Sequence, residues 1–540
     1  MSTPVTQQPP FGRKYEHLSL DDGADESFEQ QEAEQKQEDT LLHSPDADKS
    51  VSSAEDNDTS TLTISIDNAI ERIGMGRFQY TILVASGLCF AADAMQVILL
   101  SFLTIVLKDE WDLSDTMTAA ITSCLFAGSM LGTLILGPLA DSMGRRPVFL
   151  AAAFIIGLFG LGTAAATNYF MLVAMIFMVG VGVGGLTVPF DILAEFLPSH
   201  RRGTNLLLIE YFWTLGCLFV VVLAYMTLHG DQAHWRWFVA LGSLPCLVSL
   251  LVGFFFVPES ARWLCTQGRG DEALQILRDG AAMNGHDAAF IFPPGTEIAA
   301  EPEEKQAALG DLFKPKWREI TLRLWGAWGA FAFGYYGTLL AITKVFDREN
   351  EASSESDSYS FDYGAIFLSS SAELVGTTLV ILVVDRIGRI PSQVISYTLA
   401  GISVCLLCTL ASMGSSRTLL VGLSFLARVF EMGGTCVTWV STAEILDTEI
   451  RSTGHSTANA MARLGAFFCP FLVEGGTPLA RIGLIMLVVH AFTVVCVSKL
   501  PETKGKGMGV EHEDDTEELD GIIRDSDADN DPVDEHIHLS

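Results

Sequence analysis

The sequence predicts an all-α membrane protein: twelve transmembrane helices in two pseudo-symmetric six-helix bundles. Of its 540 residues, 49 % are hydrophobic and 18 % charged, a balance too apolar and a chain too long for one soluble core. The apolar residues gather into uninterrupted runs of about 20, the length that crosses a bilayer core of about 30 Å. Short motifs of the first half return in the second. Asp141-x-x-Gly144-Arg145 recurs as Asp385-x-x-Gly388-Arg389, Glu195-x6-Arg202 as Glu444-x6-Arg451, and Pro258-Glu259-Ser260 as Pro501-Glu502-Thr503, at offsets of 244, 249 and 243 residues. Repeated ends of equivalent helices mark a tandem of two units.

Taken in order, residues 1–77 read as an acidic, disordered tail. The first bundle, residues 78–257, holds runs near Tyr80–Leu107, Met117–Ala140, Val148–Ala166, Met171–Phe196, Thr204–Leu228 and Phe238–Val257. A linker follows over residues 258–320, where leucine and isoleucine at helical spacing across Asp271–Ala282 predict short surface helices. The second bundle, residues 321–500, holds runs near Leu322–Ile342, Tyr363–Val384, Val394–Met413, Leu419–Trp439, Ser456–Leu472 and Ile482–Leu500. Residues 501–540 form a second acidic tail. None of the runs alternates like a barrel strand, and lipid offers no water to an open backbone, so each reads as a helix.

The formal charge of −32 sits mostly in the tails. Residues 1–60 carry fifteen acids against four bases, and Glu511–Ser540 thirteen against one. That sign argues against nucleic acid and anionic lipid as partners and leaves cytosolic proteins open as partners of the tails. Arg145, Arg146, Arg202, Arg386, Arg389 and Arg451 share one side of the membrane with the linker, while Lys108-Asp109-Glu110 and the acidic stretch Asp347–Asp362 lie on the other. By the positive-inside rule the linker side is cytoplasmic, and an even number of spans puts both termini there. Plasma membrane and intracellular vesicle both remain open.

Gly137-Pro-Leu-Ala-Asp-Ser-Met-Gly-Arg-Arg146 resembles the signature between spans two and three of the major facilitator superfamily. Pro258-Glu-Ser-Ala-Arg-Trp263 and Pro501-Glu-Thr-Lys-Gly505 resemble the ends of spans six and twelve in its sugar-porter, organic-ion and synaptic-vesicle-related branches. Phe90-Ala-Ala-Asp-Ala-Met-Gln-Val-Ile-Leu-Leu-Ser-Phe102, Ala194-Glu-Phe-Leu-Pro198, Leu207-Leu-Ile-Glu-Tyr-Phe-Trp213 and Ala462-Arg-Leu-Gly-Ala466 are similar to the synaptic vesicle two-related and organic ion branch. The resemblance covers roughly residues 78–505. Where a sugar porter carries glutamines in span seven, this chain has Phe333-Gly-Tyr-Tyr-Gly337, which makes a hexose a poor candidate.

The resemblance implies a secondary transporter of a small organic solute working by alternating access, coupled to protons or ions, with no cofactor, and expected to be a monomer. It also implies a gate on the cytoplasmic side. Asp141 would brace a helix of the other half, Arg145 would pair with Glu195 or Asp191 near the end of span four, and Gly137 and Gly144 allow close approach and a sharp reversal. Arg202 and Glu210 are further gate candidates, and Asp385, Gly388, Arg389, Glu444 and Arg451 would form the matching cluster. The glycines of Val179–Gly185 read as a helix-packing surface rather than a dinucleotide loop, because no strand precedes them.

Ionisable groups deep in a span are costly, so each calls for a reason. Asp93, with Gln96 a turn away, lies near the middle of span one. Glu373, Arg428, Glu431 and Arg463 lie within spans eight, ten and eleven, and Arg428 and Glu431, three apart, can neutralise each other. With Tyr335 and Tyr336 as cavity walls, Asp93, Glu373 and Glu431 favour an organic cation or zwitterion, while the two arginines keep an anion open. The sequence contains no P-loop, metal-ligand cluster or activated nucleophile, so neither an enzyme nor an ATP-driven pump is expected. A transporter fold serving as a sensor or scaffold is the alternative.

Overall fold

The computed structural model describes residues 62–185, 187–198, 205–229, 234–299, 308–351, 361–446 and 448–504. Both acidic tails, apart from a few residues at their inner ends, and the gate candidate Arg202 lie outside them. The described residues start with a strand, β1 (Leu62–Ile64), and a short helix, α1 (Ile66–Ile73), capped by the Ser65 hydroxyl, which accepts from the Asn68 N–H. This corrects the expectation of a tail running to residue 77. Ile66, Ala69, Ile70 and Ile73 form one buried stripe, an amphipathic period that holds the segment down.

The first bundle comprises α2 (Arg77–Glu110), α3 (Asp115–Met143), α4 (Arg145–Ala164), the broken pair α5 (Tyr169–Gly184) and α6 (Thr187–Phe196), α7 (Leu208–Leu228), and a second broken pair, α8 (Trp235–Gly242) and α9 (Leu244–Phe256). Local chemistry fixes several starts: Ser114 and Asn168 side chains accept from the N–H groups of Met117 and Met171. The interruption at Ser243 precedes Pro245, which is tolerated only in a first helical turn. At the crossing of α3 and α5, a Cβ on Gly128, Gly132, Gly180 or Gly184 would overlap backbone atoms of the facing helix. The glycines of α5 therefore serve backbone-to-backbone packing.

The linker forms α10 (Ala261–Thr266), α11 (Gly270–Met283), α12 (Ala288–Ile291) and β2 (Thr296–Ile298). β2 pairs in parallel with β1, Leu62 opposite Thr296 and Ile64 opposite Ile298, a two-stranded addition to the expected all-helical fold. Asn284 fastens this layer to the first span: its Oδ1 accepts from the Phe78 N–H at 2.8 Å, and its Nδ2 donates to Gln79 at 2.9 Å.

A 3-10 turn, Leu309–Phe313, opens the second bundle of α13 (Pro315–Glu351), α14 (Tyr363–Ile387), α15 (Arg389–Ser412), α16 (Arg417–Ile445), α17 (Thr448–Val473) and α18 (Leu479–Val497). Ten spans among the described residues are both long and apolar enough to cross a membrane. The other two, α13 and α17, run 37 and 26 residues but are diluted by Trp, Tyr, Gly and polar groups. The reason is their position, since both line the central cavity. The bundles meet along α3 with α17 and α7 with α14.

Candidate functional site

On the linker face each bundle carries a cluster built from the same parts. In the first, Gly144 takes φ +104°, a left-handed conformation that turns α3 into α4. Arg145, the first residue of α4, holds Asp141 at 2.5 Å and Glu195 at 3.3 Å, with Asp191 close enough to act on its charge. The Glu259 carboxylate accepts from the N–H groups of Arg145, Arg146 and Ser260 at 2.8, 3.1 and 2.9 Å, so it caps α4 from outside the helix. The Asp141 carboxylate accepts from Arg145, and its backbone carbonyl accepts from the Trp263 indole N–H at 2.8 Å. Among the described residues, a Cβ on Gly137 would meet nothing within 4 Å.

The second cluster repeats this. Gly388 has φ +106°, and Arg389 holds Asp385 at 2.8 Å and both oxygens of Glu444 at 2.9 Å. Glu502 accepts from the N–H groups of Arg389, Ile390, Thr503 and Lys504. Burial works against the Glu502 charge, but these donors prevail and hold its carboxyl below the usual value. The Arg451 guanidinium donates to the Leu446 carbonyl at 3.3 Å. Glu259 and Glu502 were visible only as part of a repeated motif; the shared Pro-Glu followed by a hydroxyl residue, Ser260 or Thr503, was the available signal.

Between the bundles lies a cavity of about 70 Å³, walled by aromatic rings that include Trp213, Trp328, Tyr335, Tyr336 and Trp439. That holds several waters, and a drug-sized solute needs the halves to part further. Its polar groups are Asp93, Glu210, Thr187, Thr435, Asn459 and Arg463. Asp93 of α2 and Arg463 of α17 form an ion pair at 3.2 Å that joins the two halves, and the Tyr336 hydroxyl accepts from Arg463 at 3.3 Å. Among the described residues, Asp93 Oδ1, Arg463 Nε, Asn459 Nδ2 and the Thr435 hydroxyl are buried around the cavity with no hydrogen-bond partner. Gln96 is buried but does not line it.

Three expectations change here. Arg428 pairs with Glu373 at 2.7 Å, not with Glu431, and stacks over the Tyr335 ring. Glu431 takes His490 at 2.6 Å and the Thr338 hydroxyl at 3.1 Å, so the partner missed was a histidine standing alone in an apolar span. Glu210 is buried in the cavity wall rather than at the gate. A hydrogen-bonded relay crosses between the halves beside it: the Trp213 indole donates to the Tyr335 hydroxyl at 2.6 Å, and that hydroxyl donates to Glu373 at 2.5 Å.

Away from the linker, the halves are sealed. Ser101 bonds Thr343 at 3.1 Å, and Phe102 packs edge-on against Phe361. Glu474, just beyond α17, accepts from Thr104 at 3.0 Å and Thr122 at 3.3 Å, clasping two helices of the first half. Toward the linker the Phe190 ring meets Trp439 at 5.9 Å below the cavity.

A family profile described as "Sugar (and other) transporter" matches residues 45–512. The chain is 32 % identical over 467 residues to the synaptic vesicle 2-related protein of Xenopus laevis, covering 83 % of this chain and 82 % of that one. It is 30 % identical over 489 residues to organic cation/carnitine transporter 7 of Arabidopsis thaliana, covering 82 % and 95 %. Among solved structures, the inward-open xylose transporter XylE from E. coli aligns with a TM-score of 0.62 at 20 % identity, covering 82 % of this chain and all of that one. A second XylE structure, described as a major facilitator superfamily proton:xylose symporter bound to 6-bromo-6-deoxy-D-glucose, aligns with a TM-score of 0.61 at 21 % identity, covering 80 % and 98 %.

Proposed function

Because the chain belongs to the sugar (and other) transporter family of the major facilitator superfamily, we propose that it is a secondary active transporter moving a small organic cation or zwitterion by alternating access. The observation that carries this is the Asp93–Arg463 pair, one residue from each half, in an aromatic cavity between the halves. A solute that bonds Asp93 and Arg463 separately exchanges a contact between halves for contacts to itself, which ties binding to their relative movement. The Asp93 Oδ1 acceptor, uncommitted in the cavity wall, favours a cationic group. Rings on several sides suit an alkylated ammonium, whose charge is attracted to aromatic faces. The name of the Arabidopsis relative points to the same class of solute.

On this reading the linker side is cytoplasmic, by its arginines, and the structure is a state sealed toward the outside by the Glu474 clasp. The Arg145 and Arg389 clusters are the points about which helix pairs pivot.

The test is uptake of radiolabelled tetraethylammonium, L-carnitine and xylose into proteoliposomes, with and without an inward proton gradient, for wild type and Asp93→Asn. Gradient-stimulated accumulation of a cation or zwitterion, lost in Asp93→Asn, supports the reading. If folded protein moves none of the three, a sensor or scaffold role becomes the better account.

A further inference from the structure

Among the described residues, Glu210 is the buried acid inside a span that the pairing scheme leaves over. Asp93 has Arg463, Glu373 has Arg428 and the Tyr335 hydroxyl, and Glu431 has His490. Among the described residues no cation is paired with the Glu210 carboxylate, although the residue is only 7 % exposed. The groups facing it come from several helices. Glu373 of α14 repels it, Cys436 of α16 lies within its electrostatic reach, and Asp93 of α2 and Arg463 of α17 share its cavity. Arg428 and Tyr335 are engaged with Glu373.

An ionised carboxylate inside a span with no counter-ion is expensive, and more so beside a like charge. The like charge here stands on the other half of the molecule, because α7 and α14 pack together at the boundary between the bundles. Close packing of α7 on α14 therefore suits a protonated Glu210, and an ionised Glu210 favours their separation.

We infer that Glu210 is the proton-carrying carboxylate of the transport cycle, leaving Asp93 and Arg463 to hold the solute; this rests on the transport reading above. With the far side open, a hydronium ion gives a proton to a Glu210 oxygen; one hydronium O–H bond breaks, one carboxyl O–H bond forms, and water leaves. The carboxylic acid crosses neutral while the halves are closed. With the linker side open, water takes the proton, that bond breaks, and repulsion between Glu210 and Glu373 holds α7 away from α14. One proton accompanies each solute. Trp213, one turn from Glu210 on α7, carries the movement to Tyr335 and the second half.

Two measurements on full-length reconstituted protein test this. Infrared difference spectra taken across a pH step should contain a carboxylic C=O band that shifts in D2O, persists in Asp93→Asn and vanishes in E210Q. Persistence of every such band in E210Q overturns the inference without reference to any solute. In transport, using whichever of tetraethylammonium or L-carnitine the wild type accumulates, E210Q should still exchange internal for external solute. Its gradient-driven accumulation ratio should fall to about one, while E210D restores accumulation with a displaced pH profile. Undiminished gradient-driven accumulation in E210Q also overturns the inference, and leaves the transport reading standing.

Discussion

On the alternating-access reading, the Glu474 clasp should make the far side sensitive to pH, with a calculable magnitude. Burial pushes the Glu474 carboxyl up from 4.5 to about 7, against the hydroxyls of Thr104 and Thr122 and the Lys344 charge, which pull it down. Opening the far side returns the carboxyl to water and to its ordinary value, so the closed state binds more protons than the open one. The closed state is therefore favoured in acid, and its advantage is lost as pH rises through the window from 4.5 to about 7. The whole window is worth ~3.4 kcal/mol at about 1.36 kcal/mol per pH unit, of which ~1.4 kcal/mol falls between pH 6 and 8. Spin labels at the exposed residues Asp109 and Arg481, one in each half, should report a closed-to-open ratio that drops about tenfold over that range. Glu474→Gln, which keeps both threonine donors but cannot ionise, should flatten the dependence with the closed distance predominating. A label distribution independent of pH in wild type, or an unchanged dependence in Glu474→Gln, would refute the reasoning.

Two further outcomes are expected. Arg463→Gln leaves Asp93 buried without its cation and should lower thermal stability in detergent, in the range of about 3–5 kcal/mol for a broken buried pair; adding Asp93→Asn should recover most of the loss, and failure to recover would mean that Arg463 acts mainly through other contacts. Gly180→Ala pushes a Cβ into the Leu125 carbonyl, so α3 and α5 must separate; a cost of about 1–3 kcal/mol in the same melting assay is expected, and an unshifted Tm would show that the crossing yields freely.

What could be read from the sequence was what the chain encodes locally. The twelve apolar runs, the Asp-x-x-Gly-Arg reversals and the glycine stripe of α5 each depend on residues a turn or two apart. Arg145 finds Asp141 four residues away on a continuous face, and the same spacing serves Arg389 and Asp385. Partner choice in the interior was hidden because it depends on which helices pack. Arg428 and Glu431 are neighbours in sequence, but Tyr335 draws Arg428 toward Glu373, and His490, more than fifty residues on, takes Glu431. Glu210 looked peripheral when counted along its own helix. Its position beside Glu373 is fixed by the packing of α7 on α14, which no single span encodes. The β1–β2 pairing did leave a trace, since Leu62-Thr-Ile-Ser-Ile66 alternates as a strand does, but its partner lies over two hundred residues away.

Because Asn284 and the β1–β2 pairing fasten the linker to α2 as far as Ala299, that stretch rides with the first bundle. The second begins to pack at Leu312, which joins Trp317, Ile320 and Ile445 in a cluster of its own. Twelve residues, 300–311, separate these two anchors in sequence. Thirteen residue steps at about 3.3–3.6 Å each cap the separation of Ala299 and Leu312 at about 45 Å. On the transport reading, shortening that stretch of sequence would lower the cap and restrain the linker-open state while leaving the linker-closed state free.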